Sequence, residues 1–190
     1  MKQHWRPGNQ LYPLPAVMVS VGDSPDNYNI ITIAWTGTIC SDPAMVYVSI
    51  RPNRHSYEIV ERTGEFVINL TTRDLVRATD WCGVRSGRDY RKFEEMHLTP
   101  IESRCIKAPC IAEAPISIEC RVKQKLPLGS HDMFIAEVLN VQADEKYIDP
   151  ATGAFDLAKA HPICYSHGKY YDLGKELGKF GFSVQKKKKK

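Results

Sequence analysis

The chain has no apolar segment of the length that a membrane helix needs. None of its hydrophobic runs approaches the roughly 20 residues that span a bilayer. The N-terminal residues are polar and include Trp5 and Pro7, at positions where a secretory signal would be apolar. We therefore expect a cytoplasmic protein with no membrane partner.

The cysteines lack the spacing of a metal or redox motif. The sequence has six of them, with no Cys-x-x-Cys pair, and its 190 residues are enough to bury a core without disulfides or metal. Cys105 and Cys110 are the closest pair, but Pro109 lies between them and no second ligand pair is near. We expect reduced, mostly buried thiols and no metal site, with a structural zinc or a redox dithiol as the lesser alternative.

The body of the chain has almost no net charge. Subtracting the five lysines at 186–190 from the 26 basic residues leaves 21, against 22 acidic residues. No basic stripe interleaved with exposed aromatics is present, so nucleic-acid binding is not expected. We expect one domain over residues 1–185 and a disordered lysine tail over 186–190. A basic module recruited by that tail is the alternative, and it would require salt-sensitive affinity for nucleic acid.

Short apolar runs separated by turn residues predict an antiparallel sheet. The runs 16–22, 30–35 and 45–50 are joined by turn-rich segments at 22–27 and 41–43. These strands carry few charges and would be costly to expose on a monomer, which favours a twofold dimer.

Two helices are predicted after these strands. Ser56 is a candidate N-cap for a helix that Gly64 would end. A second helix is expected after residue 72, because Leu75, Ala78 and Cys82 would share one face.

Further strands are predicted at 65–70, 113–125 and 133–143, and the last two form a long hairpin. Strands follow strands without helices between them, which favours a barrel with helical insertions over a doubly wound fold.

The segment Ser86-Gly87-Arg88-Asp89-Tyr90-Arg91-Lys92-Phe93 joins a flexible turn to several cations, a combination that suits a phosphate. By itself it is more often an ordinary charged surface loop. It is preceded by Asn29-Ile30-Ile31-Thr32-Ile33-Ala34-Trp35-Thr36-Gly37 and by Ser49-Ile50-Arg51-Pro52-Asn53-Arg54-His55-Ser56-Tyr57. Taken in order, the three segments resemble the flavin-reductase-like FMN-binding split-barrel family, which includes flavoredoxins and ferric reductases. The resemblance runs from about residue 15 to about residue 171.

The resemblance implies a mainly β fold with helical insertions, an FMN-binding split β-barrel with Greek-key-like antiparallel strands. It also implies a homodimer and an oxidoreductase that passes reducing equivalents from NADH or NADPH through FMN to an acceptor. The acceptor would be free flavin, a ferric chelate or a partner protein. A flavoredoxin-type electron carrier with little activity toward NAD(P)H is the alternative.

The same resemblance implies two groups of FMN-binding residues. For the phosphate these are Arg51, Arg54, Ser56, Ser86, Gly87 and Lys92. For the ring and the ribityl chain they are Asn29, Thr32, Ala34, Trp35, Thr36, Gly37, Thr38 and Ser41. Arg54 read alone is equally an ordinary surface charge, and Trp35 read alone is more often a core residue.

His131 aligns with a histidine that in this family lies near the open face of the flavin, where a nicotinamide stacks. Its alternative is a water-exposed histidine at a hairpin tip. We assign no catalytic residue, because hydride transfer between stacked rings needs orientation rather than an acid–base group. The sequence also lacks a Gly-x-Gly-x-x-Gly loop after a strand, which excludes a Rossmann site for the dinucleotide.

Overall fold

The computed structural model describes residues 1–185, and the lysines at 186–190, predicted to form a disordered tail, lie outside the described residues. The strands are β1 (Leu14–Pro15), β2 (Val17–Val21), β3 (Asn29–Ile33), β4 (Thr36–Ser41), β5 (Ala44–Ile50), β6 (Glu65–Leu70), β7 (Pro100–Ile101), β8 (Cys110–Ile111), β9 (Ile116–Pro127), β10 (Asp132–Ala143), β11 (Ile163–Ser166) and β12 (Lys169–Asp172). The α-helices are α1 (His55–Thr63), α2 (Val76–Val84) and α3 (Lys92–Glu95). Short 3₁₀ helices cover Pro25–Asn27, Glu145–Tyr147, Leu157–Ala160 and Phe182–Val184.

Seven of the described strands form one antiparallel sheet, in the order β3-β2-β6-β9-β10-β5-β4. The strands at its two edges, β3 and β4, are consecutive in the chain and are joined only by Ala34 and Trp35. Consecutive Cα atoms lie about 3.8 Å apart, so this connection holds the two edges within about 11 Å of each other. The sheet therefore curls into a barrel whose seam lies at these two residues. The mainly β, antiparallel prediction is confirmed.

Strand β2 is buried on both of its faces. Val17, Val19 and Val21 pack in one apolar cluster with residues of β3, β5, β6, β9, β10 and α1, which fills the barrel. Met18 faces the other way and packs with residues of α2 and α3 outside the barrel. This corrects the part of the dimer argument that rested on residues 16–22, since the barrel core and the helices of the same chain already cover strand β2.

Helix α1 begins two residues before the start that a Ser56 cap predicts, and it ends at the predicted glycine. Arg54 is its N-cap, and Ser56, the predicted cap, is the second helical residue and is buried. Gly64 follows the helix with φ of 67°, and its N–H donates to the carbonyl of Val60. A left-handed residue is favourable for glycine because it has no Cβ, so the helix ends here.

Strand β4 was not predicted. The family resemblance implied that residues 34–38 lie at the cofactor, and the turn residues at 41–43 predicted a connection between two strands. In the structure, Thr36–Ser41 pairs with β5 along its length. The strand lies at the sheet edge and its residues are largely exposed or half-buried, so it lacks the apolar alternation that marks a strand in a sequence.

A buried carboxylate ties the hairpin of β9 and β10 to the segment before β8. Glu119 is fully buried and accepts hydrogen bonds from the backbone N–H groups of Arg104 (3.0 Å) and Cys105 (2.7 Å). It also accepts from the side-chain amides of Asn140 (2.8 Å) and Gln142 (3.0 Å). Both carboxylate oxygens are thus engaged by the protein itself.

A second, three-stranded sheet, in the order β1-β11-β12, lies beside the barrel.

Among residues 1–185, no helix has the length and apolar character to cross a membrane. The six cysteines, all within the described part of the chain, are free thiols. In the same residues, no group of three or more His, Cys, Asp or Glu side chains is placed to hold a metal ion.

Candidate functional site

A small cavity of about 150 Å³ lies where α1 begins, next to the loop between α2 and α3. Cationic and hydrogen-bonding side chains from four parts of the chain line it. This cationic cavity is defined by Asn29, Arg54, His55, Ser56, Gly87 and Lys92. Five of the six residues predicted for the phosphate line it, namely Arg54, Ser56, Ser86, Gly87 and Lys92.

Lys92 reaches the cavity from the first position of α3 and is almost fully buried. Its Nζ donates to the carbonyl oxygens of Ile30 (2.8 Å) and Cys82 (2.6 Å). Burial lowers the pKa of this ammonium to about 8, because water no longer solvates the charge. An ammonium has three donors, so one N–H remains beyond the two carbonyl bonds. Lys92 is thus a buried cation that has only neutral partners.

Asn29 connects the two loops that form the cavity. Its Nδ2 donates to Ser56 Oγ at 2.8 Å, which fixes the hydroxyl at the start of α1. On its other side lies Gly87, where an added Cβ would lie 2.3 Å from Asn29 Oδ1. Only a residue without a side chain fits against Asn29 in this way, so Gly87 allows the basic loop to approach β3 closely.

The basic loop itself is held by contacts with α1. Arg88 pairs with Glu58 at 2.5 Å and donates to the carbonyl of Asn53 at 3.2 Å, while its N–H donates to Ser86 Oγ. Arg54 is exposed and lies at the rim of the cavity. The loop therefore adds positive charge around the cavity while one of its arginines is already neutralised.

A larger cleft of about 580 Å³ adjoins the cationic cavity. The two share Ile31, Arg54, Gly83 and Val84 in their linings. Ala34 and Trp35, the seam of the barrel, line the cleft. The cationic cavity thus adjoins a larger space.

Trp35 and His131 stand together at this cleft. Their rings are nearly parallel, with an interplanar angle of 11° and centroids 6.1 Å apart. The indole is 37% exposed and so is not part of the core. Burial, followed by the charges of Arg51 and Arg54, lowers the pKa of His131, which keeps its imidazole neutral at physiological pH. Trp35 and His131 thus offer aromatic faces to a flat ligand, and Arg51 and Arg54 add positive charge to the same cleft.

The cleft lining also contains two residues that were not predicted from the sequence. Tyr170, on β12, donates from its hydroxyl to Asp80 Oδ1 on α2 at 3.2 Å, and both residues line the cleft. Burial and the Asp80 carboxylate raise the pKa of Tyr170 to about 12. Asp80 precedes Trp81-Cys82-Gly83, but no sequence signal paired it with a tyrosine 90 residues away.

Predicted site residues divide into those that line one of the two spaces and those that do not. Thr32, Ala34, Trp35, Arg51 and His131 line the cleft, and Asn29 lines the cationic cavity. Thr36, Gly37, Thr38 and Ser41 lie instead in edge strand β4, outside both linings. Thr36 Oγ1 donates to the carbonyl of Tyr47 at 2.6 Å, which is a contact within the sheet. Their role toward a ligand stays a prediction.

The family model described as the flavin reductase like domain matches residues 9–174. The chain belongs to this family. The flavoredoxin of Desulfovibrio vulgaris (Miyazaki F) is 30% identical, with a TM-score of 0.89, over 97% of this chain and 100% of that chain. A protein with a split barrel domain from Shewanella frigidimarina is 22% identical, with a TM-score of 0.79, over 90% of this chain and 86% of that one. The curled sheet is therefore a split barrel, as predicted.

A sequence relative described as an NADH-dependent FMN reductase, from Streptomyces nodosus subsp. asukaensis, is 25% identical over 163 residues. That match covers 86% of this chain and 80% of the relative.

Proposed function

We propose that this flavin reductase-like chain binds FMN and passes reducing equivalents from NADH or NADPH to an electron acceptor. The observation that supports it is a buried, incompletely paired cation, Lys92, in a cavity that adjoins a wider cleft with aromatic walls. A mononucleotide has the same two parts, a terminal phosphate and a flat ring.

The donor set of the cationic cavity fits a phosphate. Lys92 has one N–H left for an anion, and Ser56 Oγ, which accepts from Asn29, still has its own hydrogen to donate. Arg54 contributes a guanidinium at the rim. The start of α1 adds free backbone N–H groups and the positive end of the helix dipole. We place the FMN phosphate in this cavity.

The cleft would hold the ring. When bound, the flavin accepts hydride equivalents from a nicotinamide and passes electrons to an acceptor. The protein's part is to orient the two rings. Trp35 and the backbone of Ala34 would cover one side of the flavin, and His131 would lie where the nicotinamide enters. The acceptor would be free flavin, a ferric chelate or a partner protein.

A flavoredoxin-type electron carrier is the second candidate. It is favoured by the 30% identity and the end-to-end structural match to a flavoredoxin. Such a carrier would use the same cavity and cleft, so the two candidates differ in turnover rather than in the binding residues.

Two measurements test the proposal. The purified protein, reconstituted with FMN and then freed of excess flavin, should show the visible absorption of a bound flavin, and FMN should bind more tightly than FAD or riboflavin. Steady-state oxidation of NADH or NADPH with excess FMN then separates the candidates. Turnover supports the reductase, while tightly bound flavin without turnover supports the carrier. A protein that binds no flavin refutes both.

We further propose a homodimer in the cytoplasm. Support comes from the segment after β12, where Leu177 and Phe180 are almost fully exposed and Leu173 and Phe182 more than half exposed. So many open apolar side chains in one segment are typical of a surface that packs on a second copy. Analytical ultracentrifugation should give a dimer, and deletion of residues 173–185 should weaken it. A stable monomer that keeps its FMN at low concentration would refute the dimer.

A further inference from the structure

One imidazole nitrogen in the cationic cavity has no partner. His55 is the first residue of α1 and lines the cavity between Arg54 and Ser56. Its Nδ1 is buried, and within residues 1–185 it is the one buried side-chain nitrogen or oxygen atom without a hydrogen-bond partner. Burying such an atom without a partner costs about 1–3 kcal/mol. No group in the described part of the chain offsets this cost, and the donors Arg54, Ser56 and Lys92 line the same cavity.

Three charged side chains act on His55, and each comes from a different segment of the chain. Glu58 lies one turn further along α1, Arg88 belongs to the basic loop, and Lys92 comes from α3. Burial is the largest cause that lowers the pKa of His55; the Arg88 charge lowers it further, the Glu58 charge opposes this, and Lys92 adds a smaller lowering effect. Before a ligand binds, the imidazole is therefore neutral at physiological pH.

We propose that His55 binds the terminal phosphate of the flavin nucleotide through Nδ1 and takes up one proton from solvent as it does so. The proposal rests on the function proposed above. A phosphate monoester carries nearly two negative charges above its second pKa of about 6. Such an anion beside Nδ1 favours the imidazolium, which then donates to a phosphate oxygen. His55 would supply the charge that Lys92, held by two carbonyls, supplies only in part.

Three proteins separate this role from a structural one: wild type, His55→Phe and His55→Asn. Phenylalanine keeps the ring and removes the donor. Asparagine keeps a donor near the position of Nδ1 but does not titrate. Affinities for FMN and for riboflavin, which lacks the phosphate, are measured by quenching of flavin fluorescence.

At pH 7 we expect His55→Phe to bind FMN about tenfold or more weakly than wild type, as for a lost charge-assisted hydrogen bond. Riboflavin affinity should change less than twofold, and His55→Asn should lie between the other two proteins for FMN. An equal loss for FMN and riboflavin would overturn the proposal, because it would mean that His55 only supports the helix. Unchanged FMN affinity in both variants would overturn it too.

The pH dependence tests the proton. The ratio of the FMN affinity of wild type to that of His55→Asn should fall as pH rises from 6 to 7.5, because only wild type must take up a proton. The second ionisation of the phosphate affects both proteins alike and cancels in the ratio. A constant ratio would refute proton uptake, even if His55→Phe failed to fold.

If wild type itself binds no FMN, the proposed function fails as well, whereas normal FMN binding with unchanged variants refutes the role of His55 alone.

Discussion

Two buried charges in this protein have opposite surroundings. The carboxylate of Glu119 accepts four hydrogen bonds, two from backbone N–H groups and two from side-chain amides. Lys92 is held by only two neutral carbonyl oxygens and borders a cavity. Both side chains are at most 3% exposed, so burial alone does not distinguish them.

The pKa shifts of Glu119 and Lys92 reflect this difference in their surroundings. Burial of Glu119 would by itself raise the pKa of its carboxyl group, but the hydrogen bonds, with that from the Arg104 backbone the largest, outweigh burial and lower the pKa. The pKa of Lys92 is lowered to about 8 because burial wins. The protein thus stabilises the charged form of Glu119 and disfavours that of Lys92. A buried charge that the protein does not fully compensate, at the wall of a cavity, is a candidate binding group.

The Glu119→Ala variant should show the largest effect on stability. It leaves several buried N–H groups without an acceptor, and we expect a loss of at least about 3 kcal/mol in the free energy of unfolding. The flavin affinity of the folded protein should stay within twofold. Urea denaturation and flavin titration measure the two. Glu137→Ala is the control on β10, since the pair of Glu137 with Lys123 is a partly exposed one and contributes less than about 1 kcal/mol. Lost flavin affinity at unchanged stability would reverse the comparison.

Lys92→Ala should show the opposite result. We expect flavin binding to weaken by about 1–3 kcal/mol, because a charged donor to the phosphate is lost, while the protein still folds. Arg91→Ala is the matched control. Arg91 is an exposed cation next to Lys92 in the sequence, but it pairs with Glu94 and does not line the cationic cavity. Fluorescence quenching gives the affinities. Equal FMN affinity in Lys92→Ala and wild type would mean that Lys92 resembles Glu119 and serves the fold alone.

Lys92 should also make the stability of the flavin-free protein depend on pH. Because the pKa of Lys92 is about 8 in the folded protein and 10.5 as a free side chain, the unfolded state binds more protons between these values. The contribution of Lys92 to stability therefore rises from pH 8 to pH 10.5 in the flavin-free protein and is constant below pH 8. The urea midpoint of wild type minus that of Lys92→Met should increase over this interval. A difference that stays flat would show that the ammonium is not disfavoured.

The smallest effect is expected at the rim. Glu58→Gln removes the carboxylate that pairs with Arg88 and leaves that guanidinium free to turn toward the cationic cavity. Since exposed ion pairs contribute about 0.2–1 kcal/mol, we expect FMN to bind less than about fivefold more tightly. Flavin titration at low and high salt would show the gain only at low salt. Weaker binding in the variant would mean that Arg88 needs Glu58 to hold the basic loop in place.

The sequence predicted the elements whose signals are local. Gly64 marks the end of α1, and the strand at 65–70 matches β6 residue for residue, because a left-handed glycine and an apolar run need no distant partner. The hairpin of β9 and β10 was predicted within a few residues for the same reason. Strand β4 was missed because its pairing with β5, rather than its own composition, makes it a strand.

The site depended on distant contacts, which spacing does not reveal. Ser56 meets Asn29 across 27 residues, and only the family resemblance suggested that they belong together. His55 stands between two residues named for the phosphate, yet nothing in the sequence says that its Nδ1 is buried and without a partner. The two carbonyl oxygens that hold Lys92 are backbone atoms, and no sequence motif identifies them.

The two-residue connection at Ala34 and Trp35 limits how this fold can change in length. An insertion there would separate the two edges of the sheet and widen the barrel, and it would displace the wall of the cleft at the same time. An insertion in the exposed segment 149–154, which lines neither the cleft nor the cationic cavity, would extend only a surface turn. We therefore expect added length to be tolerated in exposed turns away from the cleft and not at the seam.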